Sequence, residues 1–240
     1  LFRSFRSQFP LQTLINPRLV NDEINSLIQI AQLSGTEYYP RWEVVNAYSG
    51  CMLGNPAISV LADAYEKGIR EYDVQKAVEY AANTQKQFGN GDLGYTPGSL
   101  SHTLEYAYTD WCLGQLMSSL GKKKEAAEYE KRAKAYRNVW CDSVQWFRAR
   151  VKGGGWLPWR GRTAQDQGTT ESNPFQQGWF VPHDIDGMKA LMGGQKKFDA
   201  ELEEFFANVP EDFLWNDYYN HPNEPNHHVP FLFNYSSCPW

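Results

Sequence analysis

The sequence has little net charge and no long apolar run. Its 23 basic and 28 acidic side chains give a formal net charge of −5, so there is no surplus of positive charge to neutralise a phosphate backbone. Nucleic acid is therefore not an expected partner. No stretch approaches the roughly 18 consecutive apolar residues of a membrane span, and the first residues lack the pattern of a secretory signal. No membrane-spanning segment is predicted.

Cysteine is also scarce, with four residues in the chain. They lie far apart and form no CxxC pair, so neither a zinc site nor a disulfide framework is indicated. Buried free thiols are the simpler interpretation. The residues are Cys51, Cys112, Cys141 and Cys238.

Aromatic residues, in contrast, make up 15% of the 240 residues. A chain of this length can bury a substantial core and fits one large domain or part of one. Aromatic rings fill such cores, but they also stack on the faces of sugars. Abundance alone favours core filling, and position in the chain has to decide between the two roles.

Helical periodicity recurs along most of the chain. Between Pro17 and Gly35, five apolar residues fall on one helical face: Val20, Ile24, Leu27, Ile28 and Ala31. Further helices are predicted at about 56–70, 73–88 with Asp73 as N-cap, 99–120, 122–139, 171–180, 183–193, 195–208 and from Val229 to Tyr235. Strand alternation is not found. Paired helices predict an α/α toroid or an open solenoid, and the lack of a fixed repeat counts against the solenoid.

A Gly-, Trp- and Pro-rich connection, VKGGGWLPWRGRTAQDQGTT at 151–170, is too long for an idle loop in a compact domain. It leads into a polar cluster at 170–173 that contains Glu171. Thr169 or Thr170 can cap a helix with Glu171 in its first turn, which is a purely structural role. Alternatively, a glycosidase needs two convergent carboxyls, and Glu171 and Glu224 are candidates for neighbouring roles.

Another polar cluster, at 223–228, contains Glu224 and two adjacent histidines, and a third lies at 46–50. The spacing is not HExxH, and adjacent residues of a helix point to different faces, so zinc is disfavoured. A hard cation such as calcium would use carboxylate and amide oxygens, which Glu224 and Asn223 can supply. An ordinary turn before a helix remains the alternative.

Several blocks of sequence resemble the α-mannosidases of glycoside hydrolase family 92. They are FRSQFPLQTL at 5–14, NAYSGCMLG at 46–54, SHTLEYAYTDWC at 101–112, TESNPFQQGWFVPHD at 170–184, LMGG at 191–194 and NEPNHHVPFLFNY at 223–235. The resemblance implies an all-α fold, an (α/α)6 toroid or barrel that is here a partial one. Residues 1–240 would be part of one catalytic domain, with a β-sandwich domain before it and the rest of the barrel after it.

The resemblance also implies roles for individual residues. The general acid of the family's TEGN-type motif falls on Glu171. Substrate-binding positions fall on Glu224, His227, His228, Asn46 and Asp110. Positions that would hold a calcium cofactor fall on Asn223, Glu224 and Gln176. Trp179 and His183 also match the family, as residues that shape the wall.

The chain departs from the family pattern at positions expected to hold mannose hydroxyls. Arg3 replaces the acid of a Trp-Asp-Thr-Phe-Arg pattern, Asn55 replaces the Asp after CMxG, and Thr109 replaces the first Asp of a YDDW pair. The family's general base lies in a GNDD-type motif downstream of the NEP block, and this chain ends at Trp240 before such a motif. A fragment is therefore expected, whose partner is the missing remainder of its own catalytic domain.

The predicted function is hydrolysis of terminal α-linked mannose from glycans, as in N-glycan degradation, by an inverting, calcium-assisted mechanism with Glu171 as general acid. The alternative is a diverged, non-catalytic mannoside-binding remnant, motivated by the departures and the missing base. A purely structural helical scaffold is a third hypothesis. Because relatives act on glycans outside the cytoplasm, a secreted, periplasmic or extracellular location is expected.

Overall fold

The structure, a computed structural model, describes residues 4–44, 47–212 and 214–239 and is mainly helical. The α-helices are α1 (Gln8–Ile15), α2 (Pro17–Leu33), α3 (Pro56–Glu66), α4 (Val74–Phe88), α5 (Leu100–Ser119), α6 (Lys123–Arg132), α7 (Pro174–Gln177), α8 (Ile185–Met192) and α9 (Gln195–Ala207). Segments of 3-10 helix span Ser4–Arg6, Ala133–Val139, Glu224–Asn226 and Val229–Tyr235.

Local signals in the sequence account for where α2 and α4 begin. The Asn16 side chain accepts a hydrogen bond from the Leu19 N–H, and Pro17 suits the first turn because its missing N–H would be unpaired there. Asp73 caps α4 by accepting from the Lys76 N–H, as predicted. The predicted apolar face of α2 is buried in full: Val20, Ile24, Leu27, Ile28 and Ala31.

Two short antiparallel hairpins, which the sequence did not indicate, interrupt the helices. Strands β1 (Glu43–Val44) and β2 (Ala47–Tyr48) pair with each other, as do β3 (Trp140–Cys141) and β4 (Trp146–Phe147). In the second hairpin Trp140 faces Phe147 and Cys141 faces Trp146. The expectation of no strands was wrong because strands of two residues are too short to display alternation.

The chain forms two compact units. The first unit comprises residues 1–93 and 105–134, and the second unit comprises 94–104 and 135–240. The interior of the first unit is mostly aliphatic, with Val20, Ile24, Ile58, Leu61, Leu113 and Leu116 among its buried residues. The interior of the second unit is aromatic, and it is built from Trp146, Phe175, Trp179, Phe198 and Phe205.

Aromatic rings in the second unit contact one another edge to face. The centroids of Trp146 and Trp179 are 5.3 Å apart, and those of Phe175 and Phe205 are 4.9 Å apart. Such pairs are stabilising beyond the area they bury. This cluster forms the support on which α7 and the residues before it rest. Core filling is thus the role of these rings.

In the part of the chain that the structure describes, the helices are too short or too polar to cross a bilayer. All four cysteines are free. Cys112 and Cys141 are buried, in line with the interpretation from the sequence, whereas Cys51 and Cys238 are exposed.

Candidate active site

Glu171 lies in a loop before α7, which we call the Glu171 loop (residues 169–173), and not in the helix itself. Helix α7 begins at Pro174, and its N-cap is Asn173, whose side chain accepts from the Gln176 N–H. The predicted helix start, with Thr169 or Thr170 as cap and Glu171 in the first turn, is therefore wrong. Because the residue before a proline is disfavoured in the helical region, Pro174 fixes the start of the helix at itself.

The backbone of Glu171 is left-handed, with φ of 52°. A residue with a Cβ pays roughly 1–2 kcal/mol for this conformation, so the surrounding contacts must compensate. The side chain of Glu171 is exposed, while the two residues that follow it, Ser172 and Asn173, are buried. The loop therefore presents one carboxylate to solvent from a segment whose other residues are buried or half-buried.

Hydrogen bonds on both sides of Glu171 hold the loop. The Thr170 N–H donates to Ser101 Oγ over 3.0 Å, and the Thr169 hydroxyl donates to the Ser172 carbonyl. The Ser101 hydroxyl in turn donates to Gln177 Oε1 at 2.8 Å. Hydroxyl and amide groups of α5 and α7 thus form a fixed support under the loop.

Gln176, a predicted metal ligand, is occupied by contacts with its own chain. Its Oε1 accepts from the Asn173 N–H over 3.1 Å, which completes a capping box at the start of α7. Its Nε2 donates to the carbonyls of Asn216 and Tyr218, at 2.8 and 2.7 Å. The side chain is fully buried. These contacts are those of a residue that fastens the 216–218 segment to α7, and a metal role for Gln176 stays a prediction.

The cluster at 223–228 lies beside the Glu171 loop. Asn223 is buried, and its Nδ2 donates to the carbonyl of Glu171 over 3.0 Å. Glu224 follows it, half-buried, in the 3-10 turn Glu224–Asn226 that packs against α7. Two predicted clusters that are 52 residues apart in sequence are therefore joined by one hydrogen bond.

The two histidines of this cluster face different partners, as predicted for adjacent residues. His227 Nε2 lies 3.0 Å from the His221 carbonyl, and His228 Nε2 lies 2.8 Å from the Trp179 carbonyl. Because a carbonyl only accepts, each Nε2 carries the proton and donates. Both rings are half-buried and oriented by the main chain, and their contact with a sugar stays a prediction.

Asp110, a predicted substrate-binding residue, lies in the first unit on α5. It is fully buried, and its Oδ1 is 3.1 Å from Arg132 Nε. Burial raises the pKa of Asp110 to about 7, against the opposing effect of the Arg132 charge. A carboxylate with no exposed surface is not placed to contact a bound sugar, so the structure gives no support to that role. Asn46 lies outside the described residues.

Two of the departures from the family pattern meet at one residue that sequence reasoning missed. Gln85 Oε1 accepts from Asn55 Nδ2 at 2.8 Å and from Thr109 Oγ1 at 3.1 Å. Gln85 Nε2 donates to the Tyr106 carbonyl over 3.0 Å. All three polar side chains are buried, so these replacements belong to the interior of the first unit. Nothing local in the sequence indicates this contact. Arg3 lies outside the described residues.

Calcium prefers six to eight oxygen ligands. Among the described residues no group of three or more His, Cys, Asp or Glu side chains is gathered, so carboxylates alone do not supply such a set. Glu224 and the amide oxygen of Asn223 have suitable chemistry. Asn226 adds a fully buried amide whose Oδ1 and Nδ2 have no hydrogen-bond partner in the described part of the chain. The oxygen chemistry at 223–226 fits a hard cation, whereas the contacts of Gln176 do not.

The model of the glycosyl hydrolase family 92 catalytic domain matches residues 1–240. The chain belongs to this family. A family 92 alpha-mannosidase of Bacteroides thetaiotaomicron superposes with a TM-score of 0.91 at 30% identity, covering 98% of this chain and 33% of its own length. A family 92 inverting mannosidase of Bacteroides thetaiotaomicron VPI-5482 superposes with a TM-score of 0.89 at 29% identity, covering 100% and 37%. The predicted fold class, a partial (α/α)6 toroid, is confirmed.

Among curated proteins, an uncharacterized secreted glycosidase of Arthroderma benhamiae is 28% identical over 234 residues, covering 78% of this chain and 29% of the relative. The family 92 chain thus spans about a third of the length of these relatives. The match of the family model over the whole chain confirms the resemblance found in the sequence motifs.

Proposed function

We propose that the protein carrying this chain hydrolyses terminal α-linked mannose from glycans, with inversion at the anomeric carbon and Glu171 as general acid. Membership of family 92 supports hydrolysis, and the similar solved structures are mannosidases, one of them an inverting enzyme and one in complex with mannoimidazole. The observation that carries the assignment of the acid is the exposed Glu171 carboxylate on a loop whose other residues are buried or half-buried and whose backbone is hydrogen-bonded.

In this proposal the Glu171 carboxyl donates its proton to the glycosidic oxygen as the bond to the anomeric carbon breaks. An inverting enzyme also needs a second carboxylate, roughly 6.5–9.5 Å away, that takes a proton from the attacking water. From the family resemblance we place that base downstream of residue 240. The part of this chain is to orient the acid and to bind the mannose ring.

Glu224, His227 and His228 are proposed to bind the sugar. Each lies in the second unit, half-buried, on or directly after the turn that packs against α7. Asn223 and Glu224 would also hold calcium, which when bound supplies positive charge that binds and orients ring hydroxyls. A secreted relative supports the proposal of an extracytoplasmic location, where glycans are found.

The test is release of mannose from α-linked mannobioses by the protein that carries this chain. We expect release that stops with EDTA and returns with calcium. The Glu171→Gln variant should lose about 10²- to 10⁴-fold in rate, the range for loss of a general acid. The matched control is Glu203→Gln, an exposed glutamate on α9, which should leave the rate unchanged.

Proton NMR of the first product separates the stereochemical outcomes, because inversion releases β-mannose from an α-mannoside. Initial formation of α-mannose would contradict inversion. Mannose binding without release by the unsubstituted protein would contradict hydrolysis and support the non-catalytic remnant. A full rate in Glu171→Gln would remove Glu171 from the reaction while leaving hydrolysis intact.

A further inference from the structure

We propose that Asn223 is a positioning residue that sets the direction of the Glu171 carboxyl through the main chain. The inference rests on the proposed function of Glu171 as general acid. Asn223 donates from Nδ2 to the Glu171 carbonyl at 3.0 Å, and this bond crosses from the turn at 223–226 to the Glu171 loop. The role is distinct from that of a metal ligand, because it uses the NH₂ end of the amide and not its oxygen.

The conformation of Glu171 explains why such a bond is needed. With φ of 52°, its backbone is in a region that residues with a Cβ rarely occupy. Without restraint, the peptide after Glu171 would relax by rotation about the bonds of its Cα. The carboxyl side chain branches from the same Cα, so a rotated peptide means a redirected acid. The Asn223 amide holds the carbonyl of that peptide in place.

Other hydrogen bonds hold the loop residues on either side of Glu171, whereas Asn223 binds the carbonyl of Glu171 itself. The Thr170 carbonyl, which belongs to the peptide before Glu171, accepts from the Ser172 hydroxyl at 3.1 Å. The Thr169 hydroxyl binds the Ser172 carbonyl, one residue after it. The Glu171 carbonyl itself is held by Asn223. The peptide before the Glu171 Cα is thus held from within the loop, and the peptide after it is held from the turn at 223–226.

Asn223 is itself firmly held, as a positioning residue must be. Its side chain is 2% exposed, and its N–H donates to the Asn220 carbonyl over 3.1 Å. Glu224 follows directly in the chain. Any shift of the 223–226 turn therefore moves both the proposed sugar-binding carboxylate and the support of the acid. One residue couples the binding group to the proton donor.

Asn223→Asp is the informative variant because it keeps the shape and the oxygen but removes the NH₂ donor. As a positioning residue, Asn223→Asp should lower kcat on α-mannobiose by about 10- to 100-fold, the cost of a misplaced catalytic group. KM should change little. A 2,4-dinitrophenyl α-mannoside, whose leaving group departs without protonation, should be cleaved at nearly the unsubstituted rate. A variant that had merely lost structure would be slowed on both substrates.

The matched control is Asn208→Asp. Asn208 is an exposed asparagine whose Nδ2 also donates to a main-chain carbonyl, that of Glu204, at 2.8 Å. It should leave both substrates unaffected. If the buried aspartate prevents folding, Asn223→Ser replaces it, because serine is neutral and too short to reach the Glu171 carbonyl. The same contrast between the two substrates is expected.

The double variant Asn223→Asp with Glu171→Gln separates this inference from the proposed function. If Asn223 acts through Glu171, the double variant should be no slower on α-mannobiose than Glu171→Gln alone. Equal slowing of both substrates by Asn223→Asp, or a full rate on both, would overturn the positioning role while Glu171→Gln still shows its loss. A full rate in Glu171→Gln would instead overturn the assignment of the acid.

Discussion

The two units differ in the polar groups that they bury. The first unit buries charged side chains: Glu105 and Asp110 are 1% and 0% exposed, and each carboxylate lies beside an arginine. Among the described residues of the second unit, the buried polar side chains are neutral amides and hydroxyls, namely Ser101, Thr103, Gln167, Ser172, Asn173, Gln176, Gln177, Asn220, Asn223 and Asn226.

This difference predicts that the stability of the two units responds differently to pH. Buried ionisable groups make the free energy of unfolding depend on pH, whereas neutral amides hold a structure without titrating. The buried carboxylates therefore make the stability of the first unit depend on pH. In the second unit, Glu171 is exposed and Glu224 is half-buried, and the loop that presents Glu171 is held by neutral hydrogen-bonding groups.

The largest expected effect tests the buried charges of the first unit. Arg6 Nη2 lies 2.5 Å from Glu105 Oε1, with the two side chains 6% and 1% exposed. Glu105→Ala leaves the arginine buried without this carboxylate and should lower the free energy of unfolding by about 3–5 kcal/mol. Urea denaturation measures it. Lys76→Ala, which breaks an exposed pair with Asp73, is the control and should cost less than about 1 kcal/mol. Equal losses of stability in the two variants would contradict a special contribution of the buried charges.

The next effect concerns pH. Because burial raises the pKa of Asp110 to about 7 from 3.8, the folded state holds a proton that the unfolded state has released over this interval. The free energy of unfolding therefore falls as pH rises from about 4 to about 7, by up to about 4 kcal/mol for this group. Burial also raises the pKa of Glu105, which adds to the same trend.

Asp110→Asn should flatten this part of the stability profile, as measured by urea denaturation at pH 4.5 and pH 7. The control is Asp186→Asn, an exposed aspartate on α8 in the second unit, which should leave the slope unchanged. An unchanged slope in Asp110→Asn, or a slope removed by Asp186→Asn, would contradict the assignment of pH sensitivity to the first unit.

A smaller loss of stability is expected at Gln85, a neutral side chain in the interior of the first unit. Gln85→Leu removes an acceptor shared by Asn55 and Thr109; Thr109 keeps the Glu105 and Tyr106 carbonyls, whereas the buried Asn55 amide loses this acceptor. The loss should be about 1–3 kcal/mol by thermal or urea denaturation. Gln75→Leu, at an exposed position of α4, is the control. A neutral result for Gln85→Leu would mean that the departures at 55 and 109 are not coupled through this residue.

The smallest effect belongs to the second unit. Gln177 Oε1 accepts from Ser101, while its Nε2 has no partner in the described part of the chain. Gln177→Met loses the bond from Ser101 and a long one, 3.5 Å, from Ser172, but it also removes an unsatisfied donor, so the free energy of unfolding should fall by about 0.5–1.5 kcal/mol. It should be the same at pH 4.5 and pH 7, in contrast with Asp110→Asn. A loss of stability that varied with pH would show that a titrating group interacts with the hydrogen bonds of Gln177.

Local signals predicted the elements whose causes are local. Helices α2 and α4 follow from periodicity and from caps that lie three residues from their partners. The start of α7 was misplaced because the polar residues at 169–171 looked like caps, although Asn173 and Pro174 carry the stronger signal. The 3-10 form of Ala133–Val139 and Val229–Tyr235 was also not distinguished from α-helix.

The contacts that define the site could not be derived from spacing. Asn223 and Glu171 are 52 residues apart, and Gln85 is 30 and 24 residues from Asn55 and Thr109. Such pairs are set by tertiary packing, and one sequence holds no record of which residues meet. The family motifs supplied the candidate residues Glu171, Asn223 and Glu224. The structure supplied the bond between two of them.

The left-handed backbone at Glu171 implies a conflict between robustness and activity at that position. Glycine adopts this conformation without a steric penalty. Glu171→Gly should therefore raise the free energy of unfolding by about 1 kcal/mol and make the fold more resistant to heat. A screen that ranks variants by survival of heating alone would therefore favour glycine there and discard the proposed proton donor. An engineer seeking a tougher enzyme should leave this residue untouched.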